Sequence, residues 1–301
     1  MRKQIKNSFP ILIRQRKVHL FARRVPRKRK SASMTDSTAL QSWLCHSNNR
    51  ADDDTVLLDY KKLVRIRRSD LWRICEQNGW LNDIVMNYCF ERHKERAKDE
   101  YFRPLKGELI DPNVAHFLQH GDIQDVAQLL KDLDLDSSKL FCLPVNDETD
   151  LSLHVGGCHW SLLVHTPAVT ADVPARWSHI DSMNHKNIPH AEKMAKQIAK
   201  ALLINEGRGS HFLSSISNGS GVQKDNFEVE LFSLEDTPQQ NNGHDCGVIV
   251  IELAKKIVDF GVEWEIDEDF NMHDIDVRDW RKETYRDIEF LIVDDGEQFT
   301  A

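Results

Sequence analysis

"TPQQNNGHDCGVIVIELAKKIVDFG", residues 237–261, decides how the chain is read. A polar, glycine-containing stretch runs to Asp245, and an apolar run opens at Cys246. The β-branched residues of that run also suit a strand. Its length and the Gly261 stop favour a buried helix instead. A cysteine then stands in the first turn of a helix. An ordinary thiol, with a pKa of about 8.5, is only a few per cent thiolate at neutral pH. A helix N-terminus stabilises the anion through its dipole and its unbonded N–H groups.

Two upstream segments supply what a thiolate nucleophile needs. "GGCHWSLLV" (156–164) places His159 at the start of a strand, and "SHIDS" (178–182) places Asp181 at the end of the next. If these strands pair as neighbours, His159 and Asp181 approach each other at one edge of the sheet. An imidazole beside the thiol takes its proton and later delivers it to a leaving amine. An acid behind the imidazole fixes its tautomer and stabilises the imidazolium. A side-chain amide just before the nucleophile could hold a developing oxyanion, a donor of that kind being worth roughly 10²–10³ in rate. Gln239 and Gln240 are both candidates, and Gly243 and Gly247 would allow tight turns around the site.

The rest of the chain supplies a frame. "SDLWRICEQNGW" is helical in composition, and "WLNDIVMNYCFERHKERAK" puts Leu81, Val85, Tyr88 and Cys89 on one helix face, with Asn82 or Asp83 as N-cap. "PNVAHFLQHG", ending at Gly121, and "IQDVAQLLKDLDL" read as two short helices. "KLFCLPVND", "HWSLLVH", "RWSHIDS" and "FEVELFSL" read as strands. "HAEKMAKQIAKALLI" and "RDWRKETYRDIEFLIV" read as helices, and the Gly/Ser-rich stretch 205–226 as a loop. No internal repeat is visible. Helices, then strands, then a strand–helix junction argue an α+β fold with one core.

Composition narrows the classes. Hydrophobic residues make up 40% and charged residues 29% of 301, both ordinary for a globular protein. No run of about 18 apolar residues exists, so no transmembrane helix is expected. The six cysteines show no paired spacing and no CxxC, which points to a reducing compartment. The five besides Cys246 read as buried small hydrophobes. Cys158, His159, His244 and Cys246 match no usual tetrahedral zinc spacing, so no metal is expected. No apolar h-region opens the chain, so secretion is not expected.

The net charge of −8 hides an asymmetry. Residues 1–33 hold 12 of the 40 Lys and Arg and no acid, which leaves 28 basic and 48 acidic residues in the remainder. The tail reads as a solvated, disordered basic arm, with a nuclear-localisation signal or a transit peptide as alternatives and Met34 as an alternative start. The acidic body should repel nucleic acid and attract basic protein surfaces.

At these residues the chain resembles the Ulp/sentrin-specific cysteine protease family. The ordered set His–Trp, Asp–Ser and Gln…Asp–Cys–Gly carries the resemblance, together with Trp–Leu–Asn–Asp. "GWLND" (79–83), "LFCLPVND" (140–147), "GGCHWSLLV", "HIDSMNHKN" (179–187) and "QQNNGHDCG" (239–247) look most like the deneddylase, or NEDD-specific protease, branch. The resemblance is strongest over 54–258, within a protease domain taken as 34–301. It implies a papain-related α+β fold, a central mixed sheet flanked by helices, with the nucleophile at a helix N-terminus.

By that resemblance His159 is the general base, Asp181 the orienting acid and Cys246 the nucleophile. Gln240, six residues before the cysteine, is selected as the oxyanion donor. Trp80 and Trp160 match the two tryptophans that roof a narrow channel for a Gly-Gly tail, and Asp83 a contact to a basic residue near the modifier's C-terminus. The implied function is cleavage after the C-terminal Gly-Gly of a ubiquitin-like modifier: deneddylation of conjugates, and trimming of the modifier's precursor. A SUMO-specific protease, an acetyltransferase on the same fold and a non-catalytic modifier-binding module are the alternatives. The implied partners are the modifier and its conjugates, with no nucleic acid, membrane, metal or organic cofactor. A monomer in cytoplasm or nucleus is expected. The interval "TPAVTADVPAR" between base and acid and the segment "NDETDLSLHVGG" before the base depart from the family pattern, the latter where modifier choice is expected to reside.

Overall fold

The three aromatic-rich strands form and lie side by side. In the computed structural model the described residues are 55–298, apart from 77, 99–102, 149–156, 171–172 and 210–226. The basic arm, the Met34 start and most of the 205–226 loop lie outside them. Strands β1 (Val56–Tyr60) and β2 (Val64–Arg67) make an antiparallel hairpin, followed by helices α1 (Arg68–Cys75) and α2 (Asp83–Ala97). Then come β3 (Glu108–Leu109), α3 (Pro112–His120), α4 (Ile123–Asp132), β4 (Phe141–Asn146), β5 (Trp160–Thr166) and β6 (Arg176–Ile180). The chain closes with α5 (Ile188–Asn205), β7 (Leu231–Ser233), α6 (Cys246–Phe260) and α7 (Val277–Gln298).

The main sheet runs β3-β4-β5-β6-β7 and is mixed. Its centre is antiparallel, with Asn146 opposite Trp160 and Leu162 opposite Ile180. The short edge strands β3 and β7 are parallel to their neighbours. β4 and β5 are buried on both faces, so they read as apolar runs rather than as an alternation. Helices α3, α4 and α5 cover one face, where Leu118, Leu130, Met194 and Ile198 meet Phe141, Leu143 and Leu163. Helix α6 packs against β4 and β5 without contributing to that cluster, and so covers the other face.

Pro144 sits within β4 at no cost to the ladder. The carbonyls of Leu140 and Cys142 accept from Glu108 and Ile110, so the Pro144 nitrogen points the same way, past the end of the two-residue β3.

Local chemistry sets the helix ends. Asn82, not Asp83, caps α2, its Oδ1 accepting from the Val85 amide at 3.1 Å. The face expected from spacing, Leu81, Val85, Tyr88 and Cys89, is buried. Asp111 caps α3, and Gly121 ends it. The 246–260 run is a helix as expected. It crosses a sheet whose strands already have partners, and it stops at Gly261, whose φ of 99° is open to glycine. Helix α7 is held to α2 by Asp287, which accepts from Tyr88 Oη at 3.0 Å, Arg92 Nε at 2.9 Å and Arg96 at 2.8 Å.

Some expectations are corrected. Cys75 and Cys158 are exposed rather than buried, one at a helix end and one in the loop before β5. Of "FEVELFSL" only Leu231–Ser233 pairs as a strand, because β6 offers it three partners. Gly243 adopts no positive φ and faces open space, while Gly247 serves close packing, not a turn.

Candidate active site

β5 and β6 are antiparallel neighbours, so the residue just before β5 and the residue just after β6 fall at the same end of the sheet. Those residues are His159 and Asp181, and His159 Nε2 lies 2.6 Å from Asp181 Oδ1, both side chains fully buried. Cys246 opens α6 at the same place and is 6% exposed. The three predicted groups are therefore brought together, from segments 22 and 65 residues apart.

Asp181 is held by more than the imidazole. Its Oδ1 also accepts from the Met183 amide at 2.8 Å, and its Oδ2 from the Asn187 amide at 2.9 Å. Burial pushes its carboxyl up, but His159 and these two amides outweigh burial and bring it down to about 2. Burial likewise pulls His159 down. Hydrogen bonding and charge from Asp181, and then from Cys246, prevail and raise it to about 9. Nδ1 of His159 is the nitrogen left for the thiol. It makes no fully formed hydrogen bond, although the thiol is near enough to influence the ring. Such contacts tighten when substrate is bound.

Gln240 is fastened to Ser182, the residue after Asp181. Its amide nitrogen donates to the Asn242 carbonyl at 2.6 Å, its Oε1 accepts from Ser182 Oγ at 2.8 Å, and its backbone amide donates to the Ser182 carbonyl at 3.0 Å. Its amide group has a second hydrogen to offer. Gln239 is committed elsewhere: its amide donates to Thr237 Oγ1 at 2.7 Å and to the Asp181 carbonyl at 3.0 Å. The geometry thus separates two glutamines that composition alone left equivalent.

Trp160 begins β5 beside His159, and its indole N–H donates to the Leu81 carbonyl at 3.1 Å. This bond brings the Trp80 segment to the His159 edge. Trp80 is 49% exposed, so it is not a core residue. Leu81 also fixes the distance to the nucleophile helix. A Cβ on Gly247 would stand 3.1 Å from the Leu81 Cβ, so glycine lets the two segments meet. Asp83, in the first turn of α2, accepts from Asn113 Nδ2 at 2.9 Å.

Residues outside the motif reading hold the backbone at His159. Asp147, at the end of β4, accepts from the amides of Cys158 at 2.6 Å and His159 at 3.0 Å. Gly157, with φ 76°, lies so close to Asn146 that a Cβ would overlap its Oδ1. Asn187 is fully buried and donates to the carbonyls of Val145 and His159, both at 3.3 Å. An Asn followed by Ile-Pro reads as a helix cap in sequence. Here its side chain instead ties β4 to the residue that carries the imidazole.

The description "Ulp1 protease family, C-terminal catalytic domain" matches residues 79–293, running past the 258 limit of the motif resemblance. NEDD8-specific protease 1 of Arabidopsis thaliana is 32% identical over 213 residues, 70% of this chain and 79% of that protein. Sentrin-specific protease 8 of Homo sapiens is 28% identical over 199 residues, 66% of this chain and 79% of that protein. In fold, the chain superposes on a solved de-sumoylating protease with a TM-score of 0.51 at 18% identity, over 79% of this chain and 90% of that one. With the family description matched over most of its length, and around a buried His–Asp pair beside a helix-terminal cysteine, the chain belongs to the Ulp1 protease family.

Proposed function

We propose that the protein is a thiol isopeptidase that cleaves after the C-terminal Gly-Gly of NEDD8, freeing it from lysines of conjugates and trimming its precursor. The observation that carries the chemistry is the 2.6 Å His159–Asp181 pair beside Cys246 at the start of α6. The similarity to a NEDD8-specific protease supports the choice of modifier.

The Cys246 thiolate attacks the carbonyl carbon of the terminal glycine, and the carbonyl oxygen takes the negative charge. The Gln240 amide and the Cys246 N–H, which has no helical acceptor in the first turn, donate to it. As the C–N bond breaks, the His159 imidazolium gives its proton to the leaving lysine amine, and a thioester remains. Water then attacks the thioester with its proton going to His159, the C–S bond breaks, and Cys246 leaves as the thiolate, which restores the starting ion pair. Asp181 keeps Nε2–H oriented throughout and stabilises the charged ring. Trp80 and Trp160 flank the approach, where two flat indoles exclude any residue with a Cβ and pass diglycine. Asp83 meets a basic residue near the modifier's C-terminus. The acidic body favours encounter with a basic modifier surface.

The test is covalent trapping with C-terminally electrophilic NEDD8, SUMO and ubiquitin, with Cys246→Ala alongside. A shifted band with NEDD8 alone, lost in the variant, supports the whole reading. A band mainly with SUMO keeps the mechanism and overturns the modifier. No band with any probe overturns the protease reading.

A further inference from the structure

Arg281, on the C-terminal helix, reaches across to the site from outside every motif considered so far. Its guanidinium donates to four acceptors on two distant segments. On the Trp80 side these are the carbonyls of Arg73 at 3.1 Å and Gly79 at 2.8 Å. On the Cys246 side they are the His244 carbonyl at 3.3 Å and Asp245 Oδ1 at 3.2 Å. The side chain is only 13% exposed.

The two groups it joins are informative. Gly79 immediately precedes Trp80, and Asp245 immediately precedes Cys246. Asp245 is also fixed from the other side, its Oδ2 accepting from Asn242 Nδ2 at 2.7 Å, and Asn242 in turn takes the Gln240 amide. A continuous set of hydrogen bonds thus runs from Ser182 through Gln240, Asn242 and Asp245 to Arg281 and Gly79. The neighbouring Trp280 anchors it, its Nε1 donating to Glu252 of α6 at 3.0 Å.

We infer that Arg281 is a positioning residue that sets the separation of the Trp80 segment from the Cys246 loop, and with it the register of the substrate's C-terminal tail over the thiol. The inference rests on the proposed Gly-Gly channel. Only a planar fork with five N–H donors can satisfy acceptors on both sides at once, and a lysine offers a point charge on a flexible stem. A misplacement of about 1 Å in such a site costs on the order of 10²-fold in rate.

The experiment compares wild type, Arg281→Lys, Arg281→Ala and Asp287→Ala at a temperature where all are folded by circular dichroism. Asp287→Ala removes the α7 contact to Arg92 and Arg96 and leaves the four acceptors of Arg281 in place. The substrate is a fluorogenic C-terminal amide of whichever ubiquitin-like modifier labels wild-type Cys246. Alkylation of Cys246 by iodoacetamide, followed by mass spectrometry, reports the thiol without needing the tail. The expected result is a kcat/KM lowered roughly 10- to 100-fold in both Arg281 variants. Alkylation should stay within about twofold of wild type, and Asp287→Ala should retain near-wild-type kcat/KM. The inference is overturned if Arg281→Lys turns over within about threefold of wild type. It is equally overturned if alkylation falls in parallel with turnover, or if Asp287→Ala shows the same loss. A wild type that reacts with no modifier fails the proposed function itself and takes this inference with it, an outcome the wild-type control separates from the others.

Discussion

Replacing Asp181 by Asn removes one charge and almost no volume, so it isolates what the carboxylate does to the imidazole. In the folded protein both Asp181 oxygens accept, from His159 and Met183 on one and from Asn187 on the other. An Asn placed with its oxygen toward His159 keeps the tautomer and meets only the Asn187 amide with its NH₂. What is lost is the field. The climb of His159 from 6.5 to about 9 is worth about 3 kcal/mol of preference for the charged ring. Burial is the largest single influence on this ring and pulls it down, while the thiol lifts it less than Asp181 does. Without the carboxylate the ring falls from about 9 toward its ordinary 6.5. For a ring fully back at 6.5 the imidazolium fraction at pH 8 falls from about 90% to about 3%, a loss of up to about 30-fold from protonation alone. At pH 6 the same comparison costs less than about twofold. The assay is kcat/KM on a fluorogenic modifier amide from pH 5 to 10, with an NMR titration of the His159 ring beside it. The alkaline limb should move from about 9 toward 6.5, and the defect should widen between pH 6 and pH 8. An Asp181→Asn enzyme whose alkaline limb stays near 9 would refute the assignment of that pKa to the carboxylate.

Further outcomes follow from the same geometry. The His159 contribution to stability is present below pH 6.5 and fades as pH rises through about 9, whereas that of Asp181 is present above about 4 and is lost toward 2, so urea denaturation should show the wild type's advantage over Asp181→Asn widest between about pH 4 and 6.5. Trp160→Ala should lower kcat/KM by about 10²-fold while the unfolding midpoint falls only a few degrees; an unfolded variant would make the indole a core residue. Gly247→Ala must push Leu81 aside by a few tenths of an ångström, so kcat/KM should fall measurably with a stability loss of about 1 kcal/mol, checked by pairing turnover with urea titration. Asp287→Ala should cost about 2 kcal/mol at pH 7. The Asp287 carboxyl is drawn down by Arg92 and Arg96 against the push of burial, so that cost should shrink as the wild type is taken toward pH 3.

The chemistry was legible because it needs particular side chains in a particular order. Cys246 at a helix start, His159 and Asp181 at neighbouring strand ends and the following helices could all be read from residue type and period. Other features left no such trace. The β1–β2 hairpin turns through Lys61 and Lys62, with φ of 53° and 60°, where Asn or Gly would have announced the turn. Arg281 acts largely on backbone carbonyls, which every residue carries, so nothing in the sequence marks its partners. Asp147 and Asn187 hold backbone groups of the His159 region in the same way. Gly247 and Leu81 are 166 positions apart, and only the packing of α6 against the segment before α2 shows why one must be small.

Asp147 has a consequence for how this enzyme could vary. By accepting from the amides of both Cys158 and His159, it ties the end of β4 to the start of β5, and the Glu148 carboxylate adds a further bond to the Gly157 amide at 3.1 Å. His159 is therefore tethered to the end of β4 by residues on either side of positions 149–156. Doubling the length of a flexible chain between two tethered points adds only about 0.6 kcal/mol to its closure. That stretch is the one expected to choose the modifier. If modifier choice does reside there, recognition and hydrolysis have separate anchors, and a change of client can be written between positions 148 and 157 while the catalytic edge stays as it is.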